Sequence, residues 1–475
     1  MNRPIGTCIW ENFEIAEGLS IKKTTSGTSG WSATGVSIDS RTLKKGELFV
    51  AIKGQNFDGH DFVKAAFECG AIAAIIDRKS KQIAKDKPLY LVHDAMEALR
   101  ELAKIARNRS RAKVVTITGS VGKTGTKNLL AASLKSEGLT TATQGNLNNH
   151  IGLPLSLAKM PKVADYGIFE VGMSAPGEIA PLSLLARPHV AIITSVEATH
   201  IEFFKNLKQI ADAKAEIFNG LVAGGVAVIN QDSEYFEYLS KIAKSKGASE
   251  VVGFGGGHSS TIKLLAYEHN ADHSLVEASI HGVRVKYKMK LLGRHWAINS
   301  LSVLATINAL GANLKRAAEA MQMIEPTSGR GNWLHVPVGE GKFLLIDESY
   351  NASPASVIAA LTMLKAINPG DGGQRIVILG DMLELGTKAE EFHLGLSGDL
   401  MSEKIGRVFL AGPLMKVLAN RLFKEKKPIE WCKTSLALVE MAISAVKAGD
   451  IVMVKGSRGS QMQIIVEALT RSLKR

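Results

Sequence analysis

The sequence predicts an α/β protein of three domains with a mostly parallel central sheet. Three observations lead there. The chain has 475 residues, and domains run to roughly 150 residues each. Apolar, β-branched runs alternate with helical patterns along its whole length, as in folds that cover a parallel sheet with helices. Many of those runs end in polar or glycine-containing turns, which is where ligands sit in open α/β sheets.

The first segment, residues 1–110, carries "ELFVAIKG", "FVKAAFECGAIAAIID" and "YLVHDAMEALRELAKIA". Strand-like and helical stretches alternate there, giving a small α/β unit, and the basic "RNRSRAK" closes it as a linker. The second segment, 111–325, opens on the strand-like "VVTI" and continues through "YGIFEVG", "VAIITSV" and "GVAVIN", with helical patterns such as "LKQIADAKAEIFNGL" between them. "EPTSGRGN", with Pro326, Gly329 and Gly331, reads as a hinge. The third segment, 326–475, has "KFLLIDE", "RIVILGD", "RVFLAGP" and "DIVMVKGS", each an apolar run followed by a turn. Neither a solenoid-period repeat nor a low-complexity tract is evident.

Composition narrows the function. Hydrophobic residues make up 45% and charged residues 22%, as in ordinary globular proteins. No apolar run approaches the roughly 18 residues of a membrane helix, and the N-terminal stretch lacks the apolar core of a signal peptide. The three cysteines, Cys8, Cys69 and Cys432, are scattered and form no C-x-x-C. A reducing cytoplasm is therefore expected, without a disulfide framework or zinc site. The net charge of +13 fits either solvated lysine faces or an acidic partner such as a di- or triphosphate. Nucleic acid is not expected: aromatics are 6%, and no zinc-finger or RNA-recognition signature occurs.

The chemistry begins at "TGSVGKTGT", Thr118–Thr126. Gly119 and Gly122 permit a backbone whose N–H groups turn inward, and the next helix adds its N-terminus, making an anion cradle. Thr118, Gly119, Ser120, Val121, Gly122, Lys123 and Thr124 are therefore the candidate nucleotide-phosphate contacts. Lys123 would meet the outer phosphates, and the Thr124 hydroxyl would reach Mg²⁺. The general pattern, G-x-x-x-x-G-K-[ST], has a further glycine, whereas position 117 is Ile. Magnesium needs oxygen ligands. Glu170, ending "YGIFE", is suited to supply one, and Glu197, His200 and Glu202 follow the next strand-like run. His295 and Asn299, four apart on a predicted helix, share a face. Lys214, beside Glu216 on a helical stretch, reads in isolation as a surface lysine.

Several blocks then occur in one order: "TGSVGKTGTK", "GNLNNHIGLPLSL", "EVGMSAPGEI", "EATHIEFF", "AKAEIF", "GRHWAINSLSVLA", "IDESYNASPASV" and "VKGSRG". Together with "SIDSRTLKKGELFVAIKGQNFDGHDF" in the first segment, they resemble the Mur ligases of bacterial cell-wall synthesis, over nearly the whole chain. That family uses the shortened G-x-x-G-K-[ST] spacing. The resemblance implies a UDP-sugar-binding first domain, a central ATP-binding domain and a Rossmann-like third domain that completes the ATP and acceptor sites by swinging about 325–332. It implies an ATP-dependent amide ligase working through an acyl phosphate. "NLNNHIGLPLS", "DESYNASP" and "VKGSRG" are most similar to the last ligase of the set, whose substrates are UDP-N-acetylmuramoyl-tripeptide and D-alanyl-D-alanine. A cytoplasmic monomer is expected.

The same resemblance implies residue roles. Thr124 and Glu170 would bind a first magnesium. His200 would bind a second metal, with Lys214 as a carbamate. Lys123, Lys214 and His200 would be the catalytic set. His295 and Asn299 would lie near adenine, Arg330 near phosphate and Asp347 near the ribose. Ser37, Arg41 and Asn149 would contact the UDP-muramoyl substrate, and Tyr350, Asn351 and Ser353 a nucleotide or the dipeptide. Lys455 and Arg458 could hold a substrate carboxylate, for which a guanidinium gives bidentate geometry. Two positions depart from the pattern: Trp296 replaces a common Asn, and Glu348 a more usual Asp. A sister ligase that adds the third peptide residue shares the loop and the lysine. An ATP-driven switch is the alternative from another class; a guanine-nucleotide switch would need N-K-x-D, and the chain has no Asn-Lys pair.

Overall fold

Val114–Ile117 and Ile168–Phe169 send alternate side chains to opposite faces of one sheet, as the period of a β-strand requires. Both faces are buried. Val115, Ile117, Ile168, Ile192 and Val228 pack on one side; Val114, Phe169, Ala191, Ile193 and Ile229 pack on the other. Such strands read as continuous apolar runs, which is why the sequence exposes them so clearly. The computed structural model describes residues 8–19, 21, 23–24, 30–78, 87–199, 201–270 and 272–472.

Three α/β units follow one another. The first has a five-stranded sheet in the order 23–24, 89–91, 73–76, 48–50, 36–37, parallel except for its first pair. The helix Ala95–Arg109 covers it, capped by the Asp94 carboxylate, which accepts the Glu97 N–H. Its core does not stop at the unit's edge. Leu155 and Ala158, from the helix Gly152–Ala158 of the next unit, belong to the same apolar cluster, and Trp10 Nε1 donates to Ala158 O at 2.8 Å.

The central sheet has nine strands, in the order 283–289, 274–280, 262–269, 250–255, 226–230, 190–193, 113–118, 166–170, 140–142. From 262–269 through 140–142 neighbours are parallel; the two outermost strands add an antiparallel hairpin. The lysine-rich "RVKYKM", whose lysines alternate as on a solvated face, lies in the edge strand Val283–Met289, whose Tyr287 and Met289 turn inward. The loop-bearing strand Lys113–Thr118 is central, flanked by Tyr166–Glu170 and Val190–Ile193. The carboxyl ends of these three strands therefore converge.

The third sheet runs 332–338, 341–348, 451–455, 375–380, 407–411, 429–432, parallel after its opening hairpin. Neither helix nor strand is assigned over residues 322–331, which join it to the central unit. The two units also touch directly. Glu202 N donates to Glu384 O at 3.3 Å, and the rings of His269 and Trp333 lie 5.2 Å apart. Among the described residues no helix is long and apolar enough to cross a membrane.

Candidate functional site

The glycine loop is held in shape by its own backbone and by the turn behind it. Gly119 and Gly122 have φ of 149° and 90°, a region that favours glycine. A Cβ on Gly119 would collide with Thr194 Oγ1, and one on Gly122 would lie 2.9 Å from Asn299 Oδ1. The turn after Val190–Ile193 braces the loop from behind. Ser120 N donates to Ser195 O at 3.0 Å, Val121 N to Ser195 Oγ at 2.9 Å, and Thr194 Oγ1 to Val121 O at 2.5 Å. Ser120 Oγ both donates to Glu197 O and accepts from Glu197 N, at 2.9 and 2.8 Å. Gly119→Ala is expected to weaken nucleotide binding at least about tenfold by forcing the loop off Thr194; wild-type affinity by calorimetry would contradict this role.

Lys123 opens the helix Lys123–Lys135 and folds back, so that Nζ donates to Gly119 O at 2.5 Å. Burial lowers its pKa, Glu170 opposes that shift and Arg330 adds to it. Thr124 Oγ1 donates to Glu170 Oε2 at 2.9 Å, and Asn148 Nδ2 donates to Glu170 Oε1 at 2.8 Å. Glu170 is 2% exposed. A hydroxyl and a fixed carboxylate at the mouth of a phosphate loop are hard oxygen donors of the kind magnesium takes. Lys127, one turn further on, is also buried and donates to Thr143 O at 2.7 Å.

Lys214 is not a surface lysine. It is 2% exposed on the helix Leu207–Ala215, and among the described residues none pairs with its ammonium. Burial pushes its pKa well below the usual lysine range, and the charge of Lys123 pushes the same way. Its amine is thereby held towards the neutral form, the one that is nucleophilic. Lys123 and Lys127 thus lie near the carboxylate of Glu170, with Arg330 near both of these lysines and Lys214 near Lys123. A multiply charged anion would balance that field. His200 lies outside the described residues.

The third unit closes on this cluster. Arg330 stacks its guanidinium 3.8 Å from the centre of the Tyr350 ring. Asp347 is buried and fully engaged: Oδ2 accepts Gly329 N at 2.7 Å, and Oδ1 accepts Ser349 N and Oγ at 3.1 and 2.6 Å. It ties the connecting segment that carries Arg330. Lys455, also buried, donates to Asn351 O at 3.0 Å and to Glu348 Oε2 at 3.3 Å. Ser353 caps the helix Pro354–Ala366, while Arg458 stands exposed in the turn Arg458–Ser460. His295 is exposed at the surface beside Trp296, their ring centres 5.6 Å apart; partial loss of water around its imidazole lowers its pKa, with Glu348 opposing.

The first-unit candidates lie apart from this cluster. Ser37 ends the strand Val36–Ser37, and Arg41, 83% exposed, forms a bidentate pair with Asp39 at 2.9 and 2.7 Å. Asn149 caps the helix Gly152–Ala158, its Oδ1 accepting Gly152 N at 2.9 Å. Its neighbour Asn148, which sequence reasoning passed over, is the one that reaches Glu170. Ser195 and Lys127 were missed as well. The run "NLNN" offered a signal for Asn148, but not which asparagine faces the site.

A phosphate loop on a central parallel strand, cations gathered over it and a third unit folded against it define a nucleotide-binding enzyme. Comparison with known proteins narrows the class. The Mur ligase catalytic domain matches residues 32–107, the Mur ligase middle domain residues 117–307, and the Mur ligase glutamate ligase domain residues 329–458. The chain belongs to the Mur ligase family. It is 33% identical to the UDP-N-acetylmuramoyl-tripeptide–D-alanyl-D-alanine ligase of Rickettsia prowazekii, over 91% of this chain and 94% of that one. It is 32% identical to the Bacillus subtilis enzyme of the same name, covering 92% and 93%. Among solved structures it resembles MurF from Acinetobacter baumannii, with a TM-score of 0.84, 25% identity and coverage of 98% and 100%. It also resembles a Thermotoga maritima MurF ligase solved with ADP, with a TM-score of 0.78, 27% identity and coverage of 93% and 98%.

Proposed function

We propose that this chain uses ATP to join D-alanyl-D-alanine to the terminal carboxylate of UDP-N-acetylmuramoyl-tripeptide, yielding the pentapeptide precursor, ADP and phosphate. The observation that carries this reading is the likeness to ligases of that name over more than nine-tenths of the chain. The braced loop and buried Glu170 supply the matching chemistry.

A carboxylate repels an incoming amine, so it must first be activated. A carboxylate oxygen attacks the γ-phosphorus, the bond to the ADP oxygen breaks, and an acyl phosphate forms. The dipeptide amine then adds to the carbonyl carbon. The tetrahedral intermediate expels phosphate, the nitrogen loses its proton, and the amide remains. Lys123 offsets charge on the phosphoryl oxygens and the loop N–H groups orient them. Arg330 supports the same phosphates from the third unit, whose closure excludes water from the acyl phosphate. Thr124 and Glu170 would hold magnesium, which would further neutralise the phosphoryl charge. His200, and Lys214 carrying carbon dioxide as a carbamate, would hold a second metal. The amine of Lys214, its pKa lowered by burial and without a partner among the described residues, is suited to that reaction. Ser37, Arg41 and Asn149 would face the UDP-muramoyl group, His295, Asn299 and Asp347 the nucleoside, and Tyr350, Asn351, Ser353, Lys455 and Arg458 the nucleotide or dipeptide. The enzyme works as a cytoplasmic monomer.

The test is phosphate release with ATP, magnesium, UDP-muramoyl-tripeptide and D-alanyl-D-alanine, using the lysine- and diaminopimelate-containing tripeptides in parallel. Release should require both acceptors and give a pentapeptide by mass. Turnover only on the dipeptide precursor with a diamino acid would reassign the chain to the ligase of the preceding step. ATP hydrolysis indifferent to both acceptors would identify a switch.

A further inference from the structure

Trp296 and Glu348 face the same glycine. The Cβ position of Gly331 lies 3.3 Å from Trp296 Nε1 and 3.3 Å from Glu348 Oε1. Gly331 has a φ of 77° and no side chain to stand between them. The indole N–H is buried and has no hydrogen-bond acceptor among the described residues. A buried donor left unmet is costly, so such groups are rare without a purpose. Glu348 has acceptor capacity to spare: Oε2 takes Lys455, while a carboxylate offers about four acceptor sites.

The two residues belong to different units. Trp296 lies on the helix Arg294–Ala309, and Glu348 ends the strand Gly341–Glu348. The indole ring is seated on the phosphate-loop helix, where a Cβ on Gly125 would collide with its six-membered ring. One side chain thus touches the helix that begins at the phosphate loop and aims its polar atom across the joint between units.

We propose that Trp296 and Glu348 form an interdomain latch in the nucleotide-loaded enzyme. The indole Nε1–H donates to the Glu348 carboxylate, and the Glu348–Lys455 pair carries that restraint into the third unit's part of the site. Both are positioning residues. The latch rests on the ATP-dependent reading above.

The probe is ADP with magnesium. The indole N–H resonance that disappears in Trp296→Phe should move downfield when ADP is added to the otherwise unaltered protein, and should fail to do so in Glu348→Ala. Trp296→Phe and Glu348→Ala should each weaken ADP binding about tenfold, and the double variant should be no weaker than the weaker single one. Glu348→Gln, which keeps an acceptor oxygen, should recover most of the loss. Additive losses, or an indole shift unchanged in Glu348→Ala, would overturn the latch. Failure of the unaltered protein to bind ADP would instead overturn the ATP-dependent reading itself.

Discussion

Lys123→Met is expected to lower kcat by about 10²–10³-fold, the usual cost of removing a preorganised charge from a developing anion. The same variant should keep or raise the melting temperature of the nucleotide-free protein. The reason lies in the contacts of Nζ. The side chain is half-buried, its ammonium bonded to Gly119 O and crowded by Arg330, with Glu170 as its nearby counter-charge. A cation so placed carries a desolvation cost that an apolar side chain of similar volume does not. Activity and stability should therefore move in opposite directions. Phosphate-release kinetics at saturating ATP, paired with thermal melting, read both. A kcat within fivefold of normal would remove Lys123 from the chemistry.

Lys214→Ala should be nearly as damaging, with a loss of at least about a hundredfold, and millimolar formate or acetate should restore part of the activity. A carboxylate diffusing into the vacated space replaces the carbamate's charge and its two oxygens. Lysine itself would not be rescued, and neither would Lys214→Arg, whose guanidinium stays protonated. Protein equilibrated with ¹³C-bicarbonate should show one slowly exchanging carbamate resonance that is absent from the alanine variant. Near-normal turnover of Lys214→Ala would end the assignment, and so would rescue by chloride as effective as rescue by formate.

The fold was legible because its strands are buried on both faces. "VVTI", "YGIFE", "VAIITSV" and "GVAVIN" are strands of the central sheet, and their order in space follows the rule that ligands gather at carboxyl ends. The edge hairpin at 274–289 was less legible: its alternating lysines signal solvent, and their small apolar share does not reveal the inward Tyr287 and Met289. Within the site, the loop and Glu170 could be read locally because each ends a strand. Asn148 could not, since its partner Glu170 is 22 residues away and only the folded turn decides which of two adjacent asparagines points inward. Lys214 shows the same limit. It lies on a helical stretch beside an acidic residue, but Glu216 is spent on the backbone N–H groups of Gly177, Ile179 and Ala180. Burial of the lysine is a tertiary property. Asp347, expected near the ribose, also accepts hydrogen bonds from Gly329 and Ser349 and so anchors the connecting segment, a tie the sequence does not show.

The apolar cluster shared by the first unit and the helix Gly152–Ala158 has a mechanical consequence. Separating those units would expose Trp10, Leu155 and Ala158 together, whereas neither helix nor strand is assigned across the connection at 322–331. With the closure proposed above, the first two units would form the fixed jaw of a vise and the third its moving one. With the sugar-nucleotide end of the long substrate on the first unit, as proposed, that fixed jaw would act as a ruler measured from the first sheet to Glu170. Only a peptide stem of the right length would then bring its terminal carboxylate to the phosphate loop.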